Sequence, residues 1–395
     1  MTSKILFHHE LRTVEPGRTD AYLPSDCVQN HASNILPLDN GDLLCVWFAG
    51  TQEGIPDISI YMSRLNKGES EWSKPVKLSD DPTRSEQNPI LFSAPDGKLW
   101  LIYTAQKSGN QDTAIVRYRI SEDHGYTWGP IETLFGTPGT FVRQPVVVLD
   151  NGEWLLPVFY CVVSPGEKWV GDNDYSAVKI SSDQGRSWTE YAVPNSTGCV
   201  HMNVEKLPDG SLLALYRSRW ADFIYMSYSY DNGRTWTEPV PTELPNNNSS
   251  IQFTKLNNGN LALVYNHMNA ENCTERRTSL YDDIEDEEEG NNESSTAAVL
   301  EEDPNKKKAF WGAPRAPMTI ALSEDGGKTW SYSRNLEIGD GYAMTNNSKD
   351  QLNREYSYPS VKQTPDGTIH VTFTYFRQRI KYVAVTESWI KASDQ

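Results

Sequence analysis

SEDHGYTW (Ser121–Trp128) recurs as SSDQGRSW (Ser181–Trp188), SYDNGRTW (Ser229–Trp236) and SEDGGKTW (Ser323–Trp330), with a degraded copy, SRLNKGESEW, beginning at Ser63. The copies follow apolar stretches such as AIVRYRI and FIYMSYS, so each occupies a turn between two strands. Within the turn the Asp can accept bonds from backbone N–H groups, the Gly takes a positive φ, and the Trp packs between sheets.

A second pattern alternates with the first. A polar residue, an apolar run, [DN]G and a second apolar run appear in SNILPLDNGDLLCVWFAG, NPILFSAPDGKLWLIYTA, QPVVVLDNGEWLLPVFYC, MNVEKLPDGSLLALYRSR, IQFTKLNNGNLALVYNHM and YPSVKQTPDGTIHVTFTYF. Each reads as a β-hairpin, because Asn-Gly and Asp-Gly supply the positive φ of a tight turn. The turn glycines are Gly41, Gly97, Gly152, Gly210, Gly259 and Gly367, spaced by 56, 55, 58, 49 and 108 residues. Hairpin plus strand–turn–strand makes a four-stranded blade of roughly 50 residues, repeated radially as a β-propeller. Six hairpins predict an all-β, six-bladed ring over residues 1–395 as one domain. Seven blades is the alternative, since the last gap would hold two. No further hairpin motif appears between Asn266 and Arg354. The N-terminal ILFHHELRTV is expected to add the outer strand of the last blade and so close the ring.

The charge balance is local rather than global. The 395 residues carry 53 Asp and Glu against 36 Lys and Arg, a formal charge of -17. Eleven of those acids fall in DDIEDEEEGNNESSTAAVLEED, Asp282 to Asp303, where there is no basic residue. Such a run buries too little apolar surface to offset its ordering entropy, so residues 270–312 read as a disordered insertion within blade 5. The acidity excludes nucleic acid as a partner, whose phosphates require clustered Lys and Arg. No apolar run reaches the ~18 residues of a membrane-spanning helix, and the start lacks a secretory pattern. Cys27, Cys45, Cys161, Cys199 and Cys273 show no metal spacing and no even disulfide set. A cytoplasmic protein with no metal and no required cofactor is expected.

S-x-D-x-G-x-[TS]-W resembles the Asp-box of the sialidase superfamily, and the chain is similar to its BNR-repeat group of predicted neuraminidases. The resemblance covers nearly everything but the acidic insertion. It implies a sugar-binding pocket where the inner strands begin around the axis. Members hold a sugar carboxylate with three arginines and attack with a tyrosine activated by a glutamate. A first-blade aspartate serves as acid/base. Carried over, the tyrosine is Tyr358 in YPSVKQTPDG, and two arginines are Arg217 in LLALYRSR and Arg315 in APRAPMTIALSEDGG. The loop carboxylate is Asp57 or Glu53 in AGTQEGIPDISI. Two positions depart from the pattern: His31 replaces the first arginine and His201 the glutamate, which puts sialic acid itself in doubt.

Arg143, Gln87 and Arg354 open hairpins at the same level and are read as further substrate contacts, with Asn34 and Asn203 among the other pocket residues. Glu86 is a spare acid. Three readings of function follow. The first is an exo-acting glycoside hydrolase on an acidic sugar, with Tyr358 as nucleophile, His201 as its base and Asp57 or Glu53 as acid. The second is a uronate-directed lyase or rhamnosidase, and the third a glycan-binding propeller without catalysis. All three take a carbohydrate partner, in the first two one carrying a carboxylate; oligomeric state is not legible.

Overall fold

The computed structural model describes residues 7–164, 166–281, 283–284 and 307–392. The strands form six antiparallel sheets, and the chain is a six-bladed β-propeller. Among the described residues there is no seventh blade. The inner strands are Gln29–Pro37, Ser85–Ser93, Thr140–Phe141 with Val147–Val148, Cys199–Lys206, Gln252–Lys255 and Tyr356–Gln363. All six predicted turn glycines have φ between 83° and 90°, which a side chain resists and glycine adopts freely.

The Asp-box turns lie between third and fourth strands. In the first, Gly125 N and Thr127 N donate to Ser121 Oγ and Asp123 Oδ1 at 2.8 Å each, and Thr127 Oγ1 donates to Asp123 Oδ2 at 2.6 Å. The other three copies repeat this set. These bonds hold the carboxyls of Asp123, Asp183 and Asp325 down to about 2. The motif also joins neighbouring blades: a Cβ on Gly185 would sit 3.1 Å from both Trp100 and Trp154, on blades 2 and 3.

The core is a series of wedges between blades. One wedge packs Ile90, Phe92 and Trp100 of blade 2 against Trp154, Leu156 and Val158 of blade 3. Near the axis, polar side chains stitch neighbouring inner strands together. Leu91 N donates to Asn34 Oδ1 at 2.9 Å, Phe253 N to Asn203 Oδ1 at 2.7 Å and Val361 N to Gln252 Oε1 at 2.7 Å. Asn34 and Asn203, read from sequence as pocket residues, are struts of the ring.

Two expectations need correction. The strand that closes blade 6 is Arg18–Tyr22, paired with Arg379–Val385, rather than ILFHHELRTV. Gly17, at φ 81°, folds Arg12–Glu15 back against it as a fifth strand. The insertion of blade 5, between Leu261–Asn266 and Met318–Ser323, is not disordered throughout. Its described flanks pack on the top face, with Leu280, Tyr281 and Trp311 between 2% and 8% exposed. The residues between 285 and 306 lie outside the described chain.

Candidate active site

The inner strands do not run straight to the axis. Pairing slips between His31 and Asn34, Gln87 and Ile90, Val200 and Asn203, and Ser357 and Ser360. At these bulges Ala32, Asn88, His201 and Tyr358 take φ between 50° and 57°. Left-handed backbone costs a non-glycine residue ~1–2 kcal/mol. A bulge re-aims a side chain that the strand alternation would send elsewhere. Here it turns Tyr358 and His201 toward the centre of the top face.

Tyr358 sits at the focus. Its hydroxyl oxygen accepts a bond from Arg217 Nη1 at 2.6 Å. The guanidinium carbons of Arg143, Arg217 and Arg315 lie 5.4, 5.5 and 5.7 Å from its ring centroid. The rings of His31 and His201 are 4.3 and 5.6 Å away. Arg217 is fixed by Nε to Asn248 Oδ1 at 2.8 Å, and its Nη1 lies 3.4 Å from His201 Nε2. No direct His201–Tyr358 hydrogen bond forms among the described residues. Arg217 Nη1 is the atom that reaches both.

A second cluster adjoins the first, built on a residue the sequence reading passed over. Arg377 donates from Nε to Glu355 Oε1 at 2.5 Å and from Nη1 to Glu53 Oε2 at 2.6 Å, and its Nη2 is 3.4 Å from His31 Nε2. Glu355 also accepts from Arg315 Nη1 at 2.9 Å. These arginines hold the Glu355 carboxyl below the usual range although burial alone would raise it. Phe376 and Arg377 form the turn between the second and third strands of blade 6, with φ of 55° and 54°. Such a turn normally takes Asn-Gly. Phe-Arg there was the available signal: a residue that defies turn chemistry where the hairpin faces the axis.

Burial and the neighbouring guanidiniums push His31 and His201 well below the ordinary imidazole value, Arg377 weighing most on His31 and Arg217 on His201. Both are neutral at pH 7. Burial lowers Arg217 to about 9, which leaves it charged at that pH. Around the axis five buried arginines (143, 217, 219, 315 and 377) face three buried carboxylates, Glu53, Asp174 and Glu355. Two of the polar atoms there, Arg217 Nη2 and His201 Nδ1, are buried and have no partner among the described residues. An excess of positive charge with unpartnered donors is a site for an anion.

The remaining predicted residues divide. Glu53 is inside, whereas Asp57 is exposed and accepts from Thr51 N of its own loop at 3.1 Å. The loop turns between them, so only Glu53 of the pair faces the cluster. Arg143 is central, but its donors go to the carbonyls of Ala32, Ser33, Tyr358 and Pro359 and to Ser250 Oγ. It clamps the ring and has nothing left for a ligand. Arg354 is exposed and paired with Asp340 at 2.6 Å, away from the centre. Gln87 is buried and donates to Ser85 Oγ at 3.0 Å. Glu86 points to the other face of its strand, 3.5 Å from Arg117. No group of His, Cys, Asp and Glu among the described residues is arranged to hold a metal.

Residues 41–371 match the BNR repeat-like domain. The chain belongs to that family. This BNR repeat-like protein is 24% identical over 233 residues, 51% of its length, to a sialidase of Clostridium perfringens, and spans 59% of that relative. Among solved structures its fold resembles the Hadza microbial sialidase Hz136, with a TM-score of 0.66 and 15% identity over 92% of this chain and 66% of that one. It also resembles a protein of unknown function from Dyadobacter fermentans, with a TM-score of 0.67 and 14% identity over 95% and 99% of the two chains. The BNR repeat-like protein thus has a sialidase-like propeller and lies within the sialidase superfamily. Among the described residues no helix is long and apolar enough to cross a membrane.

Proposed function

We propose that this protein is a sialidase-like glycoside hydrolase that removes a terminal acidic sugar. The observation that carries the reading is the Arg217 Nη1–Tyr358 Oη hydrogen bond of 2.6 Å inside a ring of guanidiniums. The buried guanidinium aims the phenol oxygen and would balance the negative charge that develops on it during attack. Tyr358 attacks the anomeric carbon as the glycosidic C–O bond breaks, its proton passing toward His201 across the Arg217 guanidinium that reaches both. That proton goes on to the leaving oxygen, and Glu53, paired with Arg377, takes one from the water that releases the sugar and returns it to Tyr358. Arg217 Nη2 and Arg315 hold the sugar carboxylate. The sialidase relatives support the reading; two histidines where the superfamily places Arg and Glu point to an acidic sugar other than sialic acid, such as a uronate.

One observation favours a second reading. Two neutral imidazoles flank Tyr358, a base set that also serves β-elimination at a uronate. Aryl glycosides of sialic, uronic and deoxy sugars, with acidic oligosaccharides, test both. Hydrolysis releases the reducing sugar, whereas elimination gives an unsaturated product absorbing in the ultraviolet. Tyr358→Phe should lower turnover roughly 10³-fold or more while ligand binding persists. Binding of acidic glycans by the wild type without any turnover would leave a glycan-binding propeller.

A further inference from the structure

Every central residue named above is nearly closed off: Tyr358 is 5% exposed, His201 3%, Arg217 1%, Arg315 6% and Glu53 3%. The described flanks of the blade 5 insertion lie across the same end of the ring and touch the site on two sides. Trp311 packs over both Arg217 and Arg219, 5.7 and 5.1 Å from its ring, and donates from Nε1 to Val170 O at 2.8 Å. Asn248, which fixes Arg217 Nε, gives its own Nδ2 to Phe310 O at 2.9 Å. On the other side the Tyr281 hydroxyl is held by Gln106 and Gln111 at 2.9 Å each. Tyr281 and Ile284 press on Gly54, beside Glu53; a Cβ there would meet both at 2.8 Å.

The two flanks are one body. Arg277 N donates to Trp311 O at 2.9 Å, which zips them together. Asp283 then latches the body to the loop before blade 6's inner strand, accepting from Arg277 Nη2 at 3.0 Å, Asn346 N at 2.6 Å and Thr345 Oγ1 at 3.2 Å. Beneath it lie the unpartnered Arg217 Nη2 and His201 Nδ1. Buried donors without acceptors are costly, and an occupant would supply the acceptors. With the cap in place a sugar ring has no route to them.

We infer that residues 277–281, 283–284 and 309–312 form a moving wall of the pocket, which swings away to admit the ligand and closes over a single terminal sugar. The nature of that sugar rests on the reading under Proposed function; the motion does not. Trp311 returns on closure to the faces of Arg217 and Arg219, so the wall positions the arginine that holds Tyr358. The Asp283 latch sets how often it opens. Its carboxylate touches neither Tyr358 nor the arginines around it.

Cys161 reports on the wall without any ligand. It is 4% exposed and packs in the cluster that contains Trp169, Leu280, Tyr281 and Trp311, whereas Cys45 is 0% exposed in the wedge between blades 6 and 1. Iodoacetamide labelling of the native protein, read per peptide by mass spectrometry, compares the two thiols. Local opening should label Cys161 at least about tenfold faster than Cys45. Asp283→Ala should raise the Cys161 rate about tenfold further, with Cys45 unchanged; Asp283→Asn, closer in size, is the second variant. Equal rates at the two thiols, or a Cys161 rate indifferent to both substitutions, would overturn the inference. Glucuronate and 2-deoxy-2,3-didehydro-N-acetylneuraminic acid form the ligand arms. Slower Cys161 labelling with either supports closure over an acidic sugar. Release by Asp283→Ala with no effect of either compound upholds the wall and counts against the acidic-sugar reading alone.

Discussion

Replacing Arg377 by Met tests whether the second cluster is held by charge. The guanidinium is 1% exposed and serves two carboxylates, Glu53 and Glu355, at 2.6 and 2.5 Å. Met fills similar space but leaves both carboxylates buried with one fewer cation. Removing one partner of a buried pair costs ~3–5 kcal/mol. Unfolding entropy for a chain of this length is about 0.8 kcal/mol/K, so the melting temperature should fall by ~4–6 °C. The pH dependence gives the sharper test. In the wild type Glu355 titrates below its unfolded value, so its contribution is present above about pH 4.5 and is lost as pH falls through the depressed folded value. In the variant Glu355 loses one of the two guanidiniums that lower it and titrates higher than before. The deficit should therefore be larger at pH 8 than at pH 5. Differential scanning calorimetry at both values checks this, with Arg377→Lys intermediate because an ammonium lacks the planar fork. Arg354→Met, which removes an exposed pair with Asp340, should cost under ~1 kcal/mol. A shift below about 1 °C for Arg377→Met, or a deficit that grows with acidity, would refute the reasoning.

Gly233→Ala forces a Cβ to 2.4 Å from Leu155 Cδ1 at φ 82°, so it should destabilise by ~1–3 kcal/mol in urea melts; a neutral effect would mean that the Asp-box does not seat between blades. Gly341→Ala places a Cβ 2.6 Å from the backbone N of Arg315 and of Ala316. It should displace Arg315 and raise KM for an anionic substrate, with a smaller change in kcat. His31 and His201 are held neutral, and burial lowers His370 to about 4. Unfolding returns each to about 6.5, so stability should be full above that pH and decline as pH falls toward 4. Urea midpoints from pH 8 to 5 show the decline, and unchanged midpoints would contradict it.

The ring was legible because its signals are local. Asn-Gly and Asp-Gly turns need only their own backbone, and the Asp-box satisfies its hydrogen bonds within seven residues, Ser121 to Thr127. Tyr358, Arg217 and Arg315 could be picked by motif because each sits at a set distance from such a turn. The choice between Glu53 and Asp57 could not be made that way. They are four residues apart in one loop, and only the loop's path turns Glu53 inward while Asp57 caps Thr51. Arg143 shows the opposite error: its position pointed at the axis, but five neighbouring groups had already taken its donors.

Sequence alone determined six repeats, their turns and the residues that start each inner strand, since these depend on spacings of a few residues. Tertiary structure decided which of those residues meet. Arg377 joins Glu53 across 324 positions, and the slipped inner strands, not their alternation, aim Tyr358 and His201. The acidic insertion carries the same lesson. Composition assigned it to solvent as a whole, because averaged over its length it has too little apolar surface to fold. Its flanks hold Tyr281, Ile284 and Trp311, and these pack because the propeller supplies the apolar partners that the segment lacks.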